Sequence, residues 1–147
     1  MPEEISPIDL RQTPPAELIR DRCRAFAAGD FGFIYDSYHV DAPFRRHFPD
    51  RSDYLAYGRS TLGAEFHIRE CRVLKERIAS ERAQIVFYLD SLYRGERVES
   101  VECALLLRTA EGWRYHSGQK LGLEEFSGEI DDVAWSDFEK AGEKLIF

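Results

Sequence analysis

The sequence predicts an α+β fold, with helices first and a four-stranded antiparallel meander after them. Three observations carry this. Segments 66–74, 83–93, 98–107 and 113–117 alternate apolar and polar residues with the period of a strand. The last two breaks between them, Arg94-Gly95-Glu96-Arg97 and Ala110-Glu111-Gly112, are short and contain glycine, as tight hairpin connections do. Upstream of residue 65 the apolar residues recur at helical spacing, with proline and glycine near the boundaries.

In chain order, residues 1–12 hold two prolines and no periodicity, and read as a loose lead-in. Thr13 is placed to cap a helix over 14–28, with Pro14 in the first position, where its missing N–H would be unpaired anyway. Ile19, Cys23, Phe26 and Ala27 form the apolar stripe of that helix, and Glu17, Arg20, Asp21 and Arg24 face away. Gly29 suits a left-handed terminus, and Asp30 is placed to cap a second helix over 31–38. Phe31, Ile34, Tyr35 and Tyr38 give that helix one aromatic face. Pro43 biases Ala42 away from helix, and 44–49 reads as irregular. Ser52 caps a third helix over 53–62, which Gly63 ends.

The first strand changes phase between Ile68 and Cys71, which predicts a bulge near Arg69-Glu70. The core face is assigned Ala83, Ile85, Phe87 and Leu89 from the second strand, with Val101, Cys103, Leu105 and Leu107 from the third and Trp113 and Tyr115 from the fourth. Val86, Tyr88, Ala104 and Leu106 are assigned to the outer face, which is then more apolar than a solvated sheet requires. The expectation is that the C-terminal segment or a second subunit covers it, with a homodimer through this face as the favoured case. Residues 131–141 read as an acidic helix carrying Val133, Trp135 and Phe138, and the apolar end Leu145-Ile146-Phe147 is expected to dock.

A chain of 147 residues with 44% hydrophobic and 13% aromatic content is expected to form one domain over 1–147, with its core over about 14–120. Charge is uneven: of the net −7, residues 121–147 carry −6, from eight acidic and two basic side chains. The nearly neutral body gives no reason to expect nucleic-acid binding. The longest apolar run, 103–107, is far short of the roughly 20 residues a membrane span needs. The acidic N-terminus has no apolar signal region, so a cytoplasmic protein is expected. Cys23, Cys71 and Cys103 form no Cys-x-x-Cys pair and read as free thiols. His39, His47, His67 and His116 show no ligand spacing, and neither a P-loop nor a dinucleotide fingerprint occurs, so no metal and no cofactor are expected.

The segment from Arg22 through Ala25-Phe26, Gly29-Asp30 and Phe31 to Tyr38-His39 resembles the opening of the middle domain of SEC-C-motif-associated proteins. The closing Gly112-Trp113-Arg114-Tyr115-His116-Ser117-Gly118 is similar to the last strand of that domain. The domain is of the nuclear transport factor 2-like superfamily, and the resemblance, over about 14–120, implies a cystatin-like cone: three helices packed on a curved four-stranded sheet. Those proteins carry Cys-rich zinc motifs at their ends; this chain has no such cluster, and Val40 stands where a proline often follows the aromatic-His pair. The resemblance also implies a pocket inside the cone, where enzymes of the superfamily place an Asp, His or Tyr as acid or base and other members bind without chemistry.

The candidates for acid–base work are Asp36, His39 and Tyr38, at the end of the second helix, since a His near a Tyr and a carboxylate can move a proton near neutral pH. Tyr35, His67 and Trp113 are the expected pocket lining. The bland alternative is that the tyrosines are core and His39 caps a helix end. Arg45, Arg46, His47, Arg51 and Arg59, interleaved with Phe44, Phe48 and Tyr54, read as a solvated rim rather than a nucleic-acid surface. Two readings stand: a non-enzymatic binding or interaction domain that takes a small apolar or amphipathic ligand or a protein partner, and a small-molecule isomerase, dehydratase or hydrolase.

Overall fold

Helix α1 (Pro15–Ala28) starts one residue later than its proline signal suggests, with Pro14 at the cap position and Pro15 in the first turn. The computed structural model describes residues 13–123, 129–141 and 145–146, so the lead-in over 1–12 and the terminal Phe147 lie outside the described residues. Gly29 ends α1 at φ 74°, and its N–H reaches the Ala25 and Phe26 carbonyls. Asp30 then caps α2 (Phe31–Asp36) by accepting the Phe33 N–H at 3.1 Å. This helix is two residues shorter than its aromatic pattern predicts. Residues 37–39 leave it to pair with Tyr115, through Tyr115 N–H to the Ser37 carbonyl and His39 N–H to the Tyr115 carbonyl, both at 2.8 Å.

Where an irregular stretch is expected, Pro43 opens a short helix, α3 (Pro43–His47). Its φ is already helical, and it costs no hydrogen bond in a first turn. Helix α4 (Arg51–Tyr57) is capped by Asp50 rather than Ser52 and does not end at Gly63. It runs on through a π-helical turn, Gly58–Leu62, into α5 (Gly63–Glu65). Gly58 is required by packing: a Cβ there would stand 2.5 Å from Cγ of Phe31, so only glycine lets this turn lie on α2.

The sheet is antiparallel throughout, in the order β1 (Phe66–Ala79), β2 (Arg82–Tyr93), β3 (Glu96–Thr109), β4 (Gly112–Gly122) and β5 (Leu145–Ile146). Arg94 and Gly95 both take positive φ, 52° and 82°, which suits a two-residue turn between right-twisted strands. The expected meander is present, and β5 adds a short fifth strand that pairs with Gly118 and Gln119. β1 carries the expected bulge at Arg69 and a second at Leu74. β4 has one at His116, where Leu105 faces Ser117 but Leu106 faces Tyr115.

The expected faces of β3 are reversed. Ile85 pairs with Ala104 and Ala83 with Leu106, so Ala104 and Leu106 lie on the concave face with Ile85, Phe87 and Leu89, under the helices. Val101 and Cys103 lie on the convex face with Val86. Both faces of β3 are apolar, so its alternation carries no phase; only the pairing decides. The convex face is covered by the chain itself: Val133 and Phe138 pack on Val86, Val101, Cys103 and Leu121. Helix α6 (Trp135–Ala141) follows a turn at Ile130–Asp132, and Arg77 sits over the Trp135 ring at 4.1 Å while Arg72 pairs with Asp131 at 3.3 Å. Of the residues from which the sheet-face homodimer is inferred, Ala104 and Leu106 thus lie under the helices, and Val86 is met by the C-terminal segment.

Candidate functional site

A cavity of about 450 Å³ lies between α1, α3, α4 with the π-helical turn after it, and one end of the concave face. Its walls are apolar: Ile19 and Phe26 from α1, Phe44, Phe48 and Tyr54 from the helical layer, and Phe66, Ile68, Phe87 and Leu89 from β1 and β2. His47, Tyr57 and Tyr93 are exposed and form its mouth. The polar groups that reach it are Arg22, Tyr38, Glu102, Tyr115 and Lys120.

Arg22 lies on the buried face of α1, in line with Leu18, Ile19 and Ala25, and is itself 7% exposed. Its Nη1 donates to Ser37 Oγ, which donates in turn to the Ile34 carbonyl at 2.7 Å. The guanidinium carbon stands 4.4 Å from the Tyr38 ring centre and 4.2 Å from that of Tyr115. The backbone pairing of residues 37–39 with Tyr115 is what brings these three partners together. Burial works against the charge, and the groups of Tyr38 and Tyr115 favour it by more, so Arg22 stays charged.

Glu102 is 6% exposed on the same face and accepts from Ser100 Oγ at 3.2 Å. Burial pushes its carboxyl above the ordinary range, partly opposed by Lys120, its direct neighbour across the β3–β4 pair. Tyr115 and Lys120 are five positions apart, an odd spacing that would put them on opposite faces of a regular strand. The bulge at His116 turns both to the cavity. Burial and then Glu102 hold the Tyr115 hydroxyl well above its ordinary value. Cys23 also lines the cavity; its contact with Cys71 on β1 and its burial raise its thiol well above the usual range, and both remain free.

Of the six expected site residues, Tyr38 reaches the cavity. Asp36 is exposed, with both carboxylate oxygens on Arg51, at 2.9 and 3.1 Å. His39 lies beyond the turn; its Nδ1 accepts the Asp41 N–H at 3.0 Å, and its ring centre is 6.0 Å from that of His116. Tyr35 is buried within the helical layer, donating to the Phe48 carbonyl at 2.9 Å under the Arg45 guanidinium. His67 is exposed because Phe66 and Ile68 on either side of it face inward. Trp113 packs on the core beyond Tyr115, away from the cavity. Arg22, Glu102 and Lys120 go unmarked in the sequence reading. For Arg22 a signal existed: Leu18, Arg22, Ala25 and Phe26 keep helical spacing, so the arginine interrupts an apolar stripe. Among the described residues no group of His, Cys, Asp and Glu is arranged to hold a metal, and no helix is long and apolar enough to cross a membrane.

Helices closed over the concave face of a curved antiparallel sheet, with a cavity between the layers, define a cystatin-like α+β cone. The chain belongs to the YchJ middle NTF2-like domain family, whose model matches residues 14–118. This bears out the resemblance read from its opening and closing motifs. Among solved structures, a SEC-C motif containing protein of Rhodopseudomonas palustris is similar at 23% identity, over 74% of this chain and 80% of that one, with a TM-score of 0.58. A domain with a cystatin-like fold from Nostoc punctiforme is similar at 17% identity, over 74% and 76%, with a TM-score of 0.55. These likenesses show the fold. No curated protein matches the chain.

Proposed function

We propose that this NTF2-like domain is a non-enzymatic binding module that takes a small amphipathic ligand into its cone. The observation that carries the reading is the cavity: about 450 Å³, apolar-walled, with a few polar groups converging on it, which is the composition of a small-molecule site. A filled cone would have argued for a purely structural core. The acid–base reading built on Asp36, His39 and Tyr38 has weaker support, because Asp36 and His39 stand outside the cavity and Asp36 is engaged by Arg51. A homodimer through the convex face has less support, since Ala104 and Leu106 face the helices and Val133 and Phe138 pack on Val86.

The test is a titration with N-phenyl-1-naphthylamine, a neutral probe that fluoresces in apolar surroundings. Saturable binding at one site per chain is expected, and Leu62→Trp, which fills the cavity, is expected to abolish it while the protein stays folded. Failure of the probe and of every amphiphile tried to bind the folded protein would overturn the reading.

A further inference from the structure

Arg22 is a buried charge held mainly by neutral groups. Its direct contacts are with neutral groups, the Ser37 hydroxyl and the tyrosines 38 and 115, while the one carboxyl among the described residues that feels its charge is that of Glu102. Ring faces attract a guanidinium but supply no paired acceptor oxygens, and an arginine has five N–H donors to place. Glu102 does not complete the set. It accepts from Ser100 and lies directly opposite Lys120, which draws on its charge first. A buried cation that faces an apolar cavity and is held mainly by neutral groups is costly, and an anion beside it lowers that cost.

We propose, on the reading of the cavity as a ligand site, that Arg22 anchors a carboxylate, so that the ligand class is an amphipathic monocarboxylate with an apolar body. The guanidinium fork matches a carboxylate in a two-bond geometry, which a hydroxyl or an ammonium cannot use. Ser37, Tyr38 and Tyr115 fix the fork in place, so little rotamer freedom is lost on binding. The apolar body lies along Phe26, Phe66, Ile68, Phe87 and Leu89, toward the mouth at Tyr57 and Tyr93. A medium-length chain of about ten carbons is of a size such a cavity takes.

The experiment is competition against N-phenyl-1-naphthylamine by decanoate, decanol and decyltrimethylammonium at pH 8. Decanoate is expected to displace the probe at about ten-fold lower concentration than decanol, the size of one charge-assisted contact. Equal displacement by decanoate and decanol, or preference for the ammonium, would overturn the assignment while leaving the cavity reading intact. Absence of binding by probe and amphiphiles alike sinks both. Arg22→Gln is expected to lose the preference for decanoate over decanol. Lys120→Gln is expected to keep that preference; its loss there would transfer the anchor to Lys120. Should Arg22→Gln not fold, Arg22→Lys keeps the charge without the fork and is expected to lower the preference several-fold, and an undiminished preference in that variant contradicts the two-bond anchor.

Discussion

The two faces of this sheet are covered in opposite ways. On the convex face Val86, Val101, Cys103 and Leu121 meet Val133 and Phe138 in an apolar contact. On the concave face the helical layer closes over one end of the sheet and leaves a cavity at the other, into which a buried arginine and a buried glutamate project. The same strands build both. The difference lies in one parity of β3, where Ser100 and Glu102 precede Ala104 and Leu106 while Val101 and Cys103 point the other way. Apolar burial alone explains the convex side. The concave side carries charged groups, Arg22, Glu102 and Lys120, that apolar packing does not require, and ionisable groups gathered at a cavity fit the proposed binding role.

Truncation separates the faces most strongly. Phe138→Ala empties a filled contact and is expected to cost about 3 kcal/mol, read as a shift of the urea midpoint. Leu62→Ala, on the cavity wall, removes a side chain that already borders open space and is expected to cost about 1 kcal/mol, below the usual range for a buried leucine. Equal costs would break the comparison.

Glu102 sharpens it through pH. Its folded-state carboxyl is raised by burial, so the folded protein holds this proton more tightly than the unfolded chain does. The stabilising contribution is present below the ordinary value of 4.5 and is lost as pH rises through the raised one. Glu102→Gln is therefore expected to match the unmodified chain at pH 4 and to be more stable at pH 7. Thermal melts at both pH values check it, and a variant less stable at pH 7 contradicts the burial argument. The smallest effect belongs outside both faces: Asp36→Ala breaks an exposed pair with Arg51 and is expected to change stability by about 0.5 kcal/mol or less, with probe binding unchanged.

Much of the fold was legible because local chemistry agrees with it. Gly29 and Asp30 set the α1–α2 corner, Arg94-Gly95 sets a hairpin, and the phase change after Ile68 marks a bulge. The reading failed where the decisive information is a long-range pairing. The phase of β3 is unreadable in Val101–Leu107, because apolar residues occupy both parities and only the partner strand orders them. The end of α2 is set by residues 37–39 pairing with Tyr115, some eighty positions away. Asp36 and His39 looked like a site because they are close in sequence to Tyr38; the helix end sends them elsewhere. Lys120 joins Tyr115 through a bulge that nothing in Tyr115-His116-Ser117 announces.

The most direct test of the cavity and its anchor is a nuclear magnetic resonance titration of the labelled protein with decanoate, following backbone amides and the arginine Nε–H groups. The account predicts shifts at the Arg22 Nε–H and at Phe66, Phe87 and Leu89, with Val133 and Phe138 unmoved. Shifts confined to the convex face, or saturation of the concave face with the Arg22 resonance unchanged, would contradict it.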